Sequence, residues 1–140
     1  MNTDHGNNLI ELETKFIEFQ QEVYIMSQIS HGNLLKLFGI IKKPLQMILE
    51  YIPNGDLMNF LHPIDPVTSQ RAPILKEKLP WRLRLLIAWD IAKGMYSLQH
   101  NNPPIIHRDL RSPNIFLASF SENPSHIRAK VADFGLSRYF

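Results

Sequence analysis

A carboxylate at Asp109 and an amide at Asn114 lie five residues apart in His107-Arg108-Asp109-Leu110-Arg111-Ser112-Pro113-Asn114, between an apolar helix-like stretch and the apolar run Ile115-Phe116-Leu117. On so short a loop, stiffened by a proline, the two side chains can face one pocket, one as a base and the other as a metal ligand. Downstream, Asp133-Phe134-Gly135 adds another oxygen donor, just before a glycine that permits an unusual backbone turn. The bland alternative, charged residues that only cap neighbouring elements, is weakened because both segments occur in one chain.

Several elements must position these groups. Between Leu9 and Ile29 the apolar residues Leu12, Phe16, Phe19, Val23 and Met26 recur at alternating steps of four and three. That spacing predicts one stripe on a helix about 30 Å long, with Glu18 and Glu22 one turn apart near it. Ser30-His31-Gly32-Asn33 breaks the helix, and Leu34 to Ile41 reads as a buried strand. Lys42-Lys43-Pro44 is a tight turn into a second, antiparallel strand, Leu45 to Ile52, which ends at Pro53-Asn54-Gly55. A short helix is expected around Asp56 to Leu61, then a proline-rich surface loop from His62 to Pro80. From Trp81 to His100 the chain is apolar on most helical faces, which predicts a central, buried helix with Trp89 and Met95 in the core. Ile115 to Leu117 and Ala129 to Ala132 read as two short strands around a polar turn at Ser119 to Ser125. Neither a repeat nor a domain linker is visible.

Composition narrows the class. The 140 residues, 44% hydrophobic with net charge +2, suit one globular domain. Basic residues are spread along the chain despite a pI near 9.0, which argues against a nucleic-acid or membrane patch. With no cysteine, disulfides and thiolate metal sites are excluded, and a reducing, cytoplasmic location is the default expectation. No apolar run reaches the roughly 18 residues of a membrane span. His100 and His107 lack the spacing of a zinc pair on a helix.

The segment from His107 to Asn114 fits H-R-D-L-x-x-x-N and Asp133 to Gly135 fits D-F-G, so the chain resembles the protein kinase catalytic domain over about Leu12 to Arg138. The resemblance implies an α+β, two-lobed kinase-like fold, here incomplete, with residues 9–52 from the smaller lobe and 53–140 from the larger. It implies ATP as co-substrate, Mg²⁺ and a protein substrate. Asp109 would accept or orient the proton of the attacking hydroxyl, while Asn114 and Asp133 would hold the metal. Arg111 lies where Ser/Thr members carry a lysine that touches the γ-phosphate, and Glu22 would be the helix carboxylate that pairs with a strand lysine. Glu50 to Leu57 looks like the hinge that holds the adenine edge, with Leu49 as gatekeeper and Ile52, Asp56 and Phe116 around the nucleotide. His107 and Phe134 would pack the two loops together through Met26 and Leu37. The run from His107 to Leu117 and Ala132 to Ser137 is most similar to the tyrosine-kinase-like group, nearest its Roco (leucine-rich-repeat kinase-like) members.

Departures from the pattern matter equally. The six glycines are at 6, 32, 39, 55, 94 and 135, so no G-x-G phosphate loop is present, and Lys15 is the only lysine before Glu22. An A-P-E segment after Asp133 is also missing. Two readings follow: an enzyme whose sequence is cut at both ends, or a non-catalytic kinase-like fragment that binds a partner. On either, the isolated 140-residue chain is expected to lack sheet neighbours and helix cover. The expected outcome is aggregation, or a compact state with helical circular dichroism, ANS binding and no sharp melt, with negligible ATP affinity. A cooperative melt with micromolar Mg-ATP binding would overturn this.

Overall fold

A computed structural model describes residues 3–65, 67–71, 79–119 and 128–140, with only the backbone of 3–9 and Ser119. The chain forms α1 (Thr3–Gln28), β1 (Leu37–Lys42), β2 (Leu45–Leu49), α2 (Leu57–Leu61), α3 (Trp81–Gln99), β3 (Ile105–Ile106), β4 (Ile115–Ser119), β5 (Arg128–Val131) and β6 (Arg138–Tyr139). A 3₁₀ turn at Ser112–Asn114 precedes β4. Three two-stranded antiparallel sheets result: β1 with β2, β3 with β6, and β4 with β5. Helices segregated from small antiparallel sheets make this an α+β fold, as the sequence implied.

α1 ends where the stripe predicts. Ile25 and Met26, near its C-terminus, are buried, whereas Leu12 and Phe16 are exposed. β1 and β2 form the expected hairpin across Lys43-Pro44, in register from Lys42↔Leu45 to Gly39↔Ile48, with a bulge before Leu37↔Leu49. α2 is a single short helix because Asp56 caps it, accepting the N–H of Asn59 at 2.8 Å. The core joins α1, α3 and the β4–β5 pair through Ile25, Leu34, Leu98, Leu117, Val131 and Phe134.

Three sequence expectations need correction. The first strand starts at Leu37 rather than Leu34, and it is not buried: Phe38 is 62% and Ile40 is 43% exposed. Leu34 and Leu35 are the buried residues of that run. They are drawn to the edge of β5, where the Leu35 N–H donates to the Val131 carbonyl at 2.8 Å. The second strand ends at Leu49, three residues early, because the Glu50 side chain turns towards β5. α3 is not buried all round. Its buried residues Ile87, Asp90, Gly94 and Leu98 recur at steps of three and four, one stripe against β5, and Trp89, off that stripe, is 65% exposed. Met95 is partly buried against the core, as expected. The polar turn at Ser119 to Ser125 and part of the loop before Pro80 lie outside the described residues. No helix among the described residues is long and apolar enough to cross a membrane.

The close approach of α3 to the loop after α1 depends on Gly94. A Cβ there would sit 2.8 Å from the Asn33 carbonyl oxygen, 3.2 Å from Leu34 Cδ2 and 3.3 Å from Val131 Cγ2. The first neighbour is backbone and cannot swing away, so the strain outweighs the usual helical preference for alanine. Gly94→Ala should lower the local opening free energy of β5 by about 1–3 kcal/mol. Amide exchange across residues 128–132 of the intact protein measures it, and unchanged protection would refute the packing account.

Candidate active site

The site is assembled around a buried imidazole. His107 is fully buried after the two-residue strand β3, and its Nε2 lies 3.0 Å from the Ala132 carbonyl oxygen. Its Nδ1 lies 3.3 Å from the Asp109 backbone nitrogen, which donates to it. One ring nitrogen must therefore accept and the other must donate, which defines a neutral ring protonated at Nε2. Burial is the main cause that pushes its pKa below the ordinary 6.5, opposed by the Ala132 carbonyl and by the Asp133 and Asp109 carboxylates. The ring also meets Phe134 edge-on, with centroids 5.2 Å apart.

Asp109 and Asn114 do face each other. The Asn114 amide donates from Nδ2 to Asp109 Oδ2 at 2.8 Å and to the Asp109 carbonyl at 3.0 Å. The 3₁₀ turn makes this possible, since the Asn114 N–H donates to the Arg111 carbonyl at 2.9 Å while the Asn114 carbonyl accepts from Ala132 at 2.9 Å. Asn114 is buried, Asp109 half-buried and Arg111 exposed. Asp133 is exposed and lies in the left-handed region at φ 64, with Oδ1 accepting the Gly135 N–H at 3.3 Å. Asp is among the few residues that tolerate that conformation, although it still carries some strain. Arg108, at φ 66, donates from Nε to the Leu136 carbonyl at 2.6 Å and ties the loop to the segment after Gly135.

Phe134 is fully buried in the core cluster that holds Met26 and against which Leu37 packs, so the packing residues meet as the sequence implied. Glu22 reaches the same place. Its pKa is raised above the ordinary 4.5, mainly by burial and next by the nearby Asp133 charge, with the Phe134 backbone acting the other way. Residues 9–140 match the family model described as protein tyrosine and serine/threonine kinase. The chain belongs to the protein kinase family.

Several similar proteins carry the names of serine/threonine kinases. It is 48% identical over 124 residues to the probable serine/threonine-protein kinase roco11 of Dictyostelium discoideum, covering 89% of this chain and 8% of that protein. Identity is also 48% over 128 residues to the probable serine/threonine-protein kinase qkgA of the same organism, covering 91% and 8%. Serine/threonine-protein kinase CTR1 of Arabidopsis thaliana is 39% identical over 123 residues, covering 86% and 13%. This kinase chain therefore corresponds to part of a kinase domain and spans under a tenth of the Dictyostelium relatives' length. Protein kinases in general use ATP, a divalent metal and a protein substrate.

The residues expected around a nucleotide lie at the end of β2, before α2 and on β4, with Asp56 and Phe116 joined by an antiparallel bridge. Leu49 ends β2 and is 38% exposed. Ile52 is buried with Leu35 and Ala132, and Phe116 packs against that cluster. Asp56 spends its carboxylate on Asn59, whose N–H and Nδ2 lie 2.8 and 2.6 Å away. Glu50 Oε2 accepts from Lys130 Nζ at 2.9 Å, in a half-buried ion pair that links the segment after β2 to β5. Lys130, Asp90 and Asn33 were not singled out from sequence. Their partners lie 39 to 96 residues away, beyond any local pattern.

The lowered pKa of His107 sets a sign. The native ring stays neutral while the unfolded chain takes up a proton as pH falls through about 6.5, so the unfolded state binds more protons there and stability falls with pH. The loss stops growing below the lowered native pKa. Between pH 7 and that point, local stability of the site should drop by up to about 1.4 kcal/mol per pH unit. His107→Phe should abolish this slope in amide-exchange protection of residues 129–135. An unaltered slope in the variant would assign it to other groups.

Proposed function

We propose that the protein to which this chain belongs transfers the γ-phosphoryl group of ATP to Ser or Thr side chains of a protein, with Mg²⁺ as the metal. The observation that carries the reading is the pairing of Asp109 with Asn114 beside Asp133, held together through His107 and Phe134. Phosphoryl transfer asks the protein mainly to align groups and neutralise charge, and this constellation is built for alignment.

The donor set suits the metal. Asp133 presents an exposed carboxylate, and Asn114 spends its amide nitrogen on Asp109, so its Oδ1 is the end left for a cation. Both are hard oxygen donors of the kind Mg²⁺ prefers. When bound, the metal would withdraw charge from the phosphate oxygens. Asp109, fixed by the Asn114 amide, would accept or orient the proton of the incoming hydroxyl. Arg111, exposed at the start of the 3₁₀ turn, is free to meet the γ-phosphate as a cation. Glu22, whose carboxylate lies beside Asp133 and Gly135, would accept a lysine cation. The backbone of Glu50 to Ile52 would hold adenine, Leu49 would border it, Phe116 would form its floor, and Asp56 would sit at the ribose end. Ser/Thr preference rests on the names of the Dictyostelium and Arabidopsis relatives and on Arg111-Ser112-Pro113, which departs from the Ala-rich loops usual in tyrosine kinases. A chain without cysteine suits the reducing cytoplasm, and we assign it there.

In the full-length protein Asp109→Ala should abolish phosphate transfer with nucleotide affinity largely intact, whereas Asp133→Ala should also weaken Mg²⁺-dependent nucleotide binding. Equal loss of affinity in both would show the base and the metal ligand to be confused. Phosphoamino-acid analysis should give phosphoserine or phosphothreonine, and predominant phosphotyrosine would sink the assignment.

A further inference from the structure

The strand that delivers Asp133 has two edges, and only one of them is paired with β4. On the other edge, the Ala129 N–H donates to Asp90 Oδ2 at 2.9 Å, and the Ala129 carbonyl accepts from Asn33 Nδ2 at 2.9 Å. Val131 follows the same pattern, its N–H donating to the Asn33 carbonyl at 2.8 Å and its carbonyl accepting from Leu35 at 2.8 Å. Asp90 is the exceptional member of this set: a carboxylate only 5% exposed, in the middle of α3, which a helix of this length does not need for its own formation. Its second oxygen is held by Lys93 Nζ at 2.6 Å, with the lysine side chain 36% exposed. A charge is taken out of water here to receive one backbone N–H of β5, and Lys93 offsets part of that cost.

We infer that Asp90 is a positioning residue for the metal ligand Asp133, acting through the outer edge of β5. This rests on the reading of Asp133 as a metal ligand. α3 is the rigid element. The approach permitted by Gly94 brings it against Asn33, and Asp90, one helical turn earlier, takes the Ala129 N–H. Four residues beyond Ala129 the chain enters the left-handed conformation at Asp133. A short strand held on one edge only can slide or tilt, and an error at Ala129 is carried along it to the carboxylate. On the far side, Asp133 Oδ1 and Glu22 Oε2 both lie beside Gly135, 3.4 and 3.8 Å from where a Cβ there would sit.

The test compares Asp90→Ala, Asp90→Asn and Lys93→Met in the full-length protein. Amide exchange should accelerate in Asp90→Ala across residues 128–135 while residues 37–49 stay as in the parent, and Asp90→Asn, which keeps an acceptor oxygen for the Ala129 N–H, should restore protection. Lys93→Met should show a weaker effect of the same pattern, which keeps the idea testable where Asp90→Ala does not fold. In the kinase assay Asp90→Ala should raise the Mg²⁺ concentration for half-maximal rate by about tenfold or more, the usual consequence of losing a group that orients a ligand. Uniform acceleration through residues 37–49 as well, failure of Asp90→Asn to restore protection, or an unchanged Mg²⁺ requirement in an active Asp90→Ala enzyme would overturn the proposal. A parent protein that transfers no phosphate, but shows the local exchange pattern and its rescue, would remove the kinase reading and leave the role of Asp90 in holding the strand supported.

Discussion

Everything in this site depends on one uncharged ring. Buried, His107 can satisfy both of its nitrogens only by receiving the Asp109 N–H and donating to the Ala132 carbonyl. Those two backbone groups belong to different segments, the loop that carries Asp109 and the stretch after β5 that carries Asp133. A lost or doubled proton would leave a buried donor or acceptor unpaired, at a cost of about 1–3 kcal/mol. The same ring supplies the edge contact that seats Phe134, so apolar packing and polar registration act at a single residue. Ser137, also fully buried, closes the far side by donating its hydroxyl to the His107 carbonyl at 3.2 Å.

Around that ring the structure uses side chains where larger sheets use neighbouring strands. The sheets here are pairs, and a pair leaves each strand with an open edge. For β5 the open edge is closed by the Asp90 carboxylate and the Asn33 amide together with backbone groups of Asn33 and Leu35. On β4, the Leu117 N–H donates to the Gly55 carbonyl at 2.9 Å and its carbonyl accepts from Asn54 Nδ2 at 3.0 Å. Side-chain acceptors are directional and few, so they set register more sharply than an apolar contact does.

The chemistry was legible in the sequence because identity and spacing within one loop are local: His107, Asp109, Asn114 and the Asp133-Phe134-Gly135 run announce themselves within a few residues. The start of α2 and the end of α1 were legible for a similar reason, since Asp56 is a strong cap and the break after Gln28 contains glycine and asparagine, whereas α1 begins at Thr3, six residues before the apolar stripe does. Leu34 and Leu35 misled because an apolar run looks the same whether it continues a ladder or makes a single bridge to a distant strand. Trp89 misled because hydrophobic character does not tell which side of a helix has a neighbour. Strands β3 and β6, two residues each, carry no periodicity at all. The ties of Asp90, Asn33 and Lys130 to β5 were illegible because nothing local distinguishes a buried polar residue from a solvated one.

The ties to β5 also dictate a schedule. Asn33 meets Ala129 across 96 residues and Glu50 meets Lys130 across 80. A ribosome adding roughly 5–20 residues per second reaches β5 about 5–20 seconds after Asn33 is made. Until then the loop after α1 has no strand to hold, and the Glu50 carboxylate has no cation. Both segments therefore wait on the growing chain for the arrival of one four-residue strand.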